Sequence, residues 1–326
     1  SRRALAPRND TAAFAAAAIR HIERENVGNA AFVVLDNGSV AGERFVSTGS
    51  PVDRDTLFQT ASLSKWITAW GVMRLAEDGR IDLDAPVSTY LTRWRLPGTE
   101  FDNEQVTVRR LLSHTAGLTD GLGYGGFAPG QPVQALADSL TKASDASPGA
   151  DGRVRVGVQP GERFLYSGGG YALLQLIIEE VSGDPFNDYM RRAVLAPLGM
   201  ARSTFILADD TTNVAQSFDE AGTEAILNRF SAPSAASLYT TAADLSRFLR
   251  AHAKAEGQPP GLGVLRPDTI AAMRQPHAYQ FGAEIWGLGT ILYAPNQAGS
   301  FVIGHDGSNT PAINTTARID PATGDG

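Results

Sequence analysis

Stretches rich in β-formers lie at the two ends of this chain and helical ones fill its middle, an order that few architectures accommodate. Residues 10–25 read as a helix that Asp10 or Thr11 can cap and that Asn26 to Gly28 ends. Runs 31–36 and 43–48 flank an Asn37-Gly38 turn, the signature of a hairpin. From Ser62 to Asp78 the pattern turns helical, with Gly79 as its stop, and helical segments joined by Gly/Pro-rich loops continue to about residue 245. A capped helix at 241–253 follows, and β-like runs return at 286–293, 300–304 and 312–319. The simplest fold is α/β (α+β), with an antiparallel sheet built from both chain ends, flanked by helices, and an all-helical lobe inserted between them. This predicts a sheet region from 1–79 and 245–326, a helical lobe from 80–244, and a site in the cleft between them. The long loops at 117–132 and 144–161 are expected to line that cleft.

Composition removes several chemistries. With no cysteine among 326 residues, disulfides, thiolate metal sites and Cys nucleophiles are excluded, and the compartment is left open. A formal charge of −7 without a basic stripe argues against a nucleic-acid partner. Apolar stretches such as 171–178 fall far short of the ~20 residues of a membrane span. The chain opens on Ser1 instead of Met, so a signal segment is not expected within it. The histidines at 21, 114, 252, 277 and 305 lack ligand spacing, so no metal is expected. Gly168-Gly169-Gly170 precedes a helix, but neither GxGxxG after a strand nor GxxxxGK occurs, and no serine sits in a GxSxG elbow. No cofactor is expected.

Only three lysines exist, and two of them close an SxxK: Ser62-Leu-Ser-Lys65 and Ser139-Leu-Thr-Lys142. Positions i and i+3 share a helix face, which brings an amine to a hydroxyl. An ordinary capping serine with a surface lysine has the same spacing, so context decides. Ser62 opens the apolar helix WITAWGVMRLAE, where a desolvated lysine can serve as a base. Ser139 ends a short helical run that dissolves into ASDASPGADG, so its lysine is expected in solvent.

Two later motifs accompany Ser62: Tyr166-Ser167-Gly168 before an apolar helix, and Gly304-His305-Asp306-Gly307-Ser308 on a late strand. In this order, with LFQTASLSKWITAWGVMRLAEDGRIDLDAPVSTYL, VTVRRLLSHTAGL, PGERFLYSGGGYALLQLIIEEVSGDPF, VLAPLGMARSTF, WGLG and GHDGSNTP around them, the chain resembles the serine β-lactamase and penicillin-binding-protein family from about residue 30 onward. That family includes D-aminopeptidase-like members and a branch of carboxylesterases. The resemblance implies that Ser62 is an acylated nucleophile, that Lys65 and Tyr166 share the base and acid work, and that the N–H groups of Ser62 and Ser308 form an oxyanion hole. It gives His305 the role of orienting Tyr166 or binding a carboxylate. Gly168, Asp306 and Gly307 are assigned to the substrate, Gly307 by letting it lie close to the strand. His114 is read as a buttress of the helical lobe.

Two departures bear on substrate. Gly168 stands where the family's YxN motif has Asn, and His305 stands where many members have Lys. The first turns the expectation from β-lactams toward esters or small peptide and D-amino-acid amides, and the second weakens a carboxylate anchor without deciding between substrates; a β-lactamase or DD-peptidase, an acyltransferase and a non-catalytic binding protein are the alternatives. The family continues beyond the point matching INTTARIDPATGDG with another strand and a helix, so either a separate C-terminal segment completes the sheet as a partner or this chain is cut short. The partner otherwise is a small-molecule or short-peptide substrate. Compartment is open, with a periplasmic or secreted location favoured by the resemblance.

Overall fold

The computed structural model describes Ala6 and residues 9–121, 123–254 and 257–326. Helix α1 (Thr11–Glu25) starts where Asp10 accepts a hydrogen bond from the N–H of Ala13 at 2.8 Å. Strands β1 (Asn29–Asp36) and β2 (Ser39–Ser47) form an antiparallel hairpin. Its turn residues Asn37 and Gly38 have φ of 49° and 76°, the paired positive values that match the twist of the strands.

A short β3 (Phe58–Gln59) leads into α2 (Ser64–Glu77). The middle of the chain supplies α3 (Val108–Leu112), α4 (Leu136–Thr141), α5 (Gly168–Ser182) and α6 (Phe186–Met190), then a small hairpin of β4 (Ser217–Phe218) and β5 (Glu224–Ala225). After α7 (Pro233–Ala236), β6 (Tyr239–Thr240) pairs back onto β3. Helices α8 (Ala242–Arg250) and α9 (Pro267–Met273) precede β7 (Ala278–Gln280), β8 (Ala283–Trp286), β9 (Ile291–Pro295), β10 (Phe301–Asn309) and β11 (Ile313–Ile319). These five strands form one antiparallel sheet in sequence order.

Strands from the two chain ends form two sheets, and α8 packs on both β1 and β11. The backbones of Leu35 and Gly326 exchange hydrogen bonds of 2.6 and 3.1 Å, which ties the chain end to β1 beside β11.

Helix α2 is apolar on every face because it is enclosed on every face. Eleven of its residues, Ser64 to Met73 and Leu75, are buried. On one side Trp66 and Trp70 stack on Phe248 at 4.9 and 5.1 Å between centroids, and on His252 at 4.7 and 5.0 Å. On another, Gly71 lies where a Cβ would meet the Met190 sulfur at 2.3 Å, and its carbonyl accepts from the Tyr189 hydroxyl. Truncating a ring such as Trp70 at this centre costs about 3–5 kcal/mol. Helix α5 is likewise buried from Gly168 to Ile178, and its C′ residue Gly183 takes φ 78°.

The run 286–293 is two strands instead of one. Gly287 donates to the Thr290 carbonyl in a turn, and a Cβ on Gly287 would sit 2.1 Å from the Met273 carbonyl oxygen. Reading 286–293 as a single β-like run passed over the turn that WGLG encodes. Strand β10 extends past the expected 304 to Asn309, across Gly307.

Candidate active site

The turn that carries Ser62 is held before α2 begins. Successive bonds from Leu63 to Thr60, Ser64 to Ala61, Lys65 to Ser62 and Trp66 to Leu63 are all of the i→i+3 kind, so Ser62 stands on a tight turn and the α-helix starts at Ser64. Ala61 has φ of 50°, a left-handed value that a residue with a Cβ adopts only when its surroundings enforce it. The enforcement is visible: the Leu238 N–H donates to the Ser64 hydroxyl at 2.8 Å, and the Thr60 hydroxyl donates to the Leu238 carbonyl at 2.9 Å. From β11, Thr315 donates to the Thr60 carbonyl at 2.8 Å.

Lys65, in the first turn of α2, is buried, and its Nζ lies 3.1 Å from Ser62 Oγ and 2.8 Å from the Ala235 carbonyl. No carboxylate forms a salt bridge with it among the described residues. The Tyr166 ring completes its surroundings, 5.0 Å from Nζ to centroid. Helix α7 can present the Ala235 carbonyl because it is clamped between two helices: Thr68 of α2 donates to the Ser234 carbonyl, and the Ser234 hydroxyl donates to the Tyr171 carbonyl of α5.

Ser62, Lys65, Tyr166, Gly168 and Ser308 line one cavity of about 460 Å³. Residues 123–125 and 145–148 line it as well, from the two long loops, which bridge one another at Tyr124 and Ala146. His305, Asp306 and Gly307 do not line it. His305 is buried, its Nδ1–H donates to the Asp306 carbonyl, and its ring meets Trp286 edge-on at 5.4 Å. Burial, then the charge of Lys65, lowers its pKa to about 3, so it is neutral and supplies no charge for a carboxylate. Asp306 is exposed and accepts from Thr316. A Cβ on Gly307 would meet the Thr60 carbonyl at 2.5 Å and Ser62 N at 2.9 Å, so this glycine lets β10 approach the serine turn itself. Ser139 is buried at the cavity wall, while Lys142 is exposed past the end of α4 and donates its N–H to Asp138.

His114, read from the sequence as a buttress of the helical lobe, packs directly on Tyr166. It takes φ of 57°, accepts Ser167 N–H on Nδ1 at 3.1 Å, and accepts Leu165 N–H on its carbonyl at 2.8 Å. Its ring lies 4.4 Å from that of Tyr166, so it grips both neighbours of this tyrosine and one face of its ring. Asp120, Tyr124, Phe230 and Ala235 escaped notice. The only signal for the first two was the glycine density of 121–126, and for Ala235 the small-residue run 232–236.

Three buried histidines make an acid-sensitive core. Burial lowers His252 to about 4, His305 to about 3, and His114 well below the ordinary 6.5. The unfolded chain then binds more protons than the folded one between these values and 6.5. The stabilisation is complete above about pH 6.5 and is lost as pH falls toward 4 and 3. Thermal unfolding from pH 7 to pH 4 should show a falling Tm, with a shallower slope in His252→Gln; a flat profile would contradict the assignment.

Among the described residues no group of three His, Cys, Asp or Glu could hold a metal ion, and no helix is long and apolar enough to cross a membrane. A model of the Beta-lactamase family matches residues 14–325. Penicillin-binding protein 4 of Amycolatopsis lactamdurans is 31% identical over 319 residues, 92% of this chain and 79% of that protein. The octameric penicillin-binding protein homologue from Pyrococcus abyssi shares the fold at a TM-score of 0.71 with 26% identity, over 89% of this chain and 66% of that one. The D-amino acid amidase from Ochrobactrum anthropi SV3 gives a TM-score of 0.72 at 24% identity, over 94% and 88% of the two chains.

Proposed function

The chain belongs to the Beta-lactamase family and is a serine hydrolase, and from that premise we propose that it hydrolyses uncharged esters and small peptide or D-amino-acid amides through an acyl-enzyme on Ser62. The observation that carries the reading is the buried Lys65 amine 3.1 Å from Ser62 Oγ. The amine, when neutral, takes the hydroxyl proton as Oγ bonds to the acyl carbonyl, and the Ser62 and Ser308 N–H groups stabilise the oxyanion. Ser62 N–H has no acceptor among the described residues. Lys65 and Tyr166 return the proton to the leaving group, and water then releases the acid. The site lies in the proposed cleft between the sheet region and the helical lobe.

Lys65 is the sole cationic side chain among the described residues lining the cavity. This supports neutral substrates over ones anchored by a carboxylate, the group that penicillins and C-terminal D-residues present. The test compares kcat/KM for a nitrophenyl ester, a D-alanyl anilide and benzylpenicillin. The expected order is ester, then anilide, then penicillin; fastest acylation by penicillin would contradict it.

His114 is expected to act as a positioning residue for Tyr166. His114→Phe keeps a ring but removes the acceptor for Ser167 N–H, and should lower kcat about tenfold with little change in KM. His114→Asn, which tolerates the positive φ and restores an acceptor, should recover most of it. Equal losses of kcat and Tm in both variants would mark His114 as a structural residue only.

A further inference from the structure

We infer that Gly168 and Tyr124 are a size-exchanged pair that walls the cleft with an aromatic ring, and that this wall selects esters of aromatic or apolar acids over the matching amides. The selectivity rests on the hydrolase reading above; the pairing does not.

A Cβ on residue 168 would lie 2.7 Å from Tyr124 Cε2 and 3.1 Å from Cδ2, so any side chain there and this ring compete for one volume. The ring cannot readily yield. Its hydroxyl donates to Asp120 Oδ2 at 2.7 Å, and the buried Asp120 also accepts from the Ser167 hydroxyl and from Gly169 N–H. Burial beside that carboxylate drives the phenol's ionisation far upward, so it stays a donor. The backbone is fixed too: Gly125 N–H donates to the Asp145 carbonyl and Gly126 N–H to the Asp145 carboxylate. A Cβ on Gly126 would sit 2.9 Å from Phe230 Cε1, so the loop also packs against a second ring that lines the cavity.

Tyr124 and Phe230 thus line the same cavity as Ser62, with Pro148, Ala172 and Ala232 among the other apolar surfaces. An aromatic acyl group finds ring faces there. An amide N–H placed against the Tyr124 ring finds no partner and loses its hydrogen bonds to water, whereas an ester brings no such donor.

The test measures kcat/KM for 4-nitrophenyl phenylacetate, 4-nitrophenyl acetate and phenylacetyl 4-nitroanilide. Tyr124→Ala should lower the phenylacetyl-to-acetyl ratio about tenfold or more, and Tyr124→Phe, which keeps the ring, should preserve it. Gly168→Asn combined with Tyr124→Ala should lower the ester-to-anilide ratio about tenfold relative to Tyr124→Ala alone. A phenylacetyl-to-acetyl ratio in Tyr124→Ala within twofold of the native chain's, or an ester-to-anilide ratio in the double variant within twofold of that of Tyr124→Ala, would overturn the wall. Two readouts do not need turnover. Gly168→Ala should lower Tm with Tyr124 present and much less in the Tyr124→Ala background; equal drops in both would overturn the size exchange. In titration calorimetry, phenylacetate should bind the native chain more tightly than Tyr124→Ala; equal affinities would overturn the aromatic wall even if no ester were hydrolysed.

Discussion

Replacing Ser62 by Ala is expected to lower kcat/KM for nitrophenyl ester hydrolysis by about four to six orders of magnitude. The size follows from what the hydroxyl does in this geometry. In the proposed mechanism it is the atom that forms the acyl bond, and the hydroxyl of neighbouring Ser64 is already committed to the Ala61 carbonyl and the Leu238 N–H. The fold should not notice the change. The turn is held by backbone bonds and by Thr60, Ser64 and Thr315, none of which uses Ser62 Oγ. Steady-state kinetics and a thermal melt together check this. Activity within a hundredfold of the native value at unchanged Tm would move the nucleophile elsewhere, and Ser139→Ala, expected to leave Ser62 acylation in place, would be the next variant to examine.

The second large effect belongs to Lys65. Lys65→Met retains most of the side-chain volume but removes the amine, and should slow acylation by about 10³–10⁴. Its effect on stability should be much smaller than that of an ordinary core substitution. The native amine sits buried with two hydrogen-bond acceptors and no carboxylate partner among the described residues, so an apolar replacement relieves desolvation while leaving the Ala235 carbonyl short of a donor, at about 1–3 kcal/mol. The two roughly cancel, and Tm should change by only a few degrees in either direction. Lys65→Arg should not rescue, because a guanidinium stays protonated and cannot take the serine proton. A single-turnover measurement with the ester, paired with the melt, decides. Loss of activity with a collapse of Tm would make Lys65 a structural residue.

The i, i+3 spacing of Ser62 and Lys65 is legible because it is local: it depends only on the chain folding into a helical turn near an apolar run. The expected helix began at Ser62, and the true start at Ser64 follows from the strained Ala61, which no local pattern reports. The antiparallel sheet with helices around it was likewise readable from the order of β-rich and helical segments, because strand and helix periodicities are local too. Side-chain direction on β10 was not. Residues 305 and 307 share one face of the strand, which buries His305 and sets Gly307 against the serine turn, whereas the resemblance gave His305 the orienting of Tyr166 or the binding of a carboxylate and set Gly307 against the substrate. The contacts of His114 with Tyr166 and Ser167 and the close approach of Gly168 to Tyr124 are tertiary. They depend on loops 117–132 and 144–161 folding against one another and against the start of α5, and glycine-rich loops carry no periodicity from which such a meeting could be read.

The central claim is that Ser62 becomes acylated. Intact-mass spectrometry of the full chain, mixed with 4-nitrophenyl phenylacetate and quenched on the millisecond scale, tests it directly when followed by peptide mapping. The account predicts one added phenylacetyl group, located on Ser62 and missing from both Ser62→Ala and Lys65→Met. An adduct on Ser139 or any other residue, or hydrolysis proceeding in Ser62→Ala at the native rate, would contradict it.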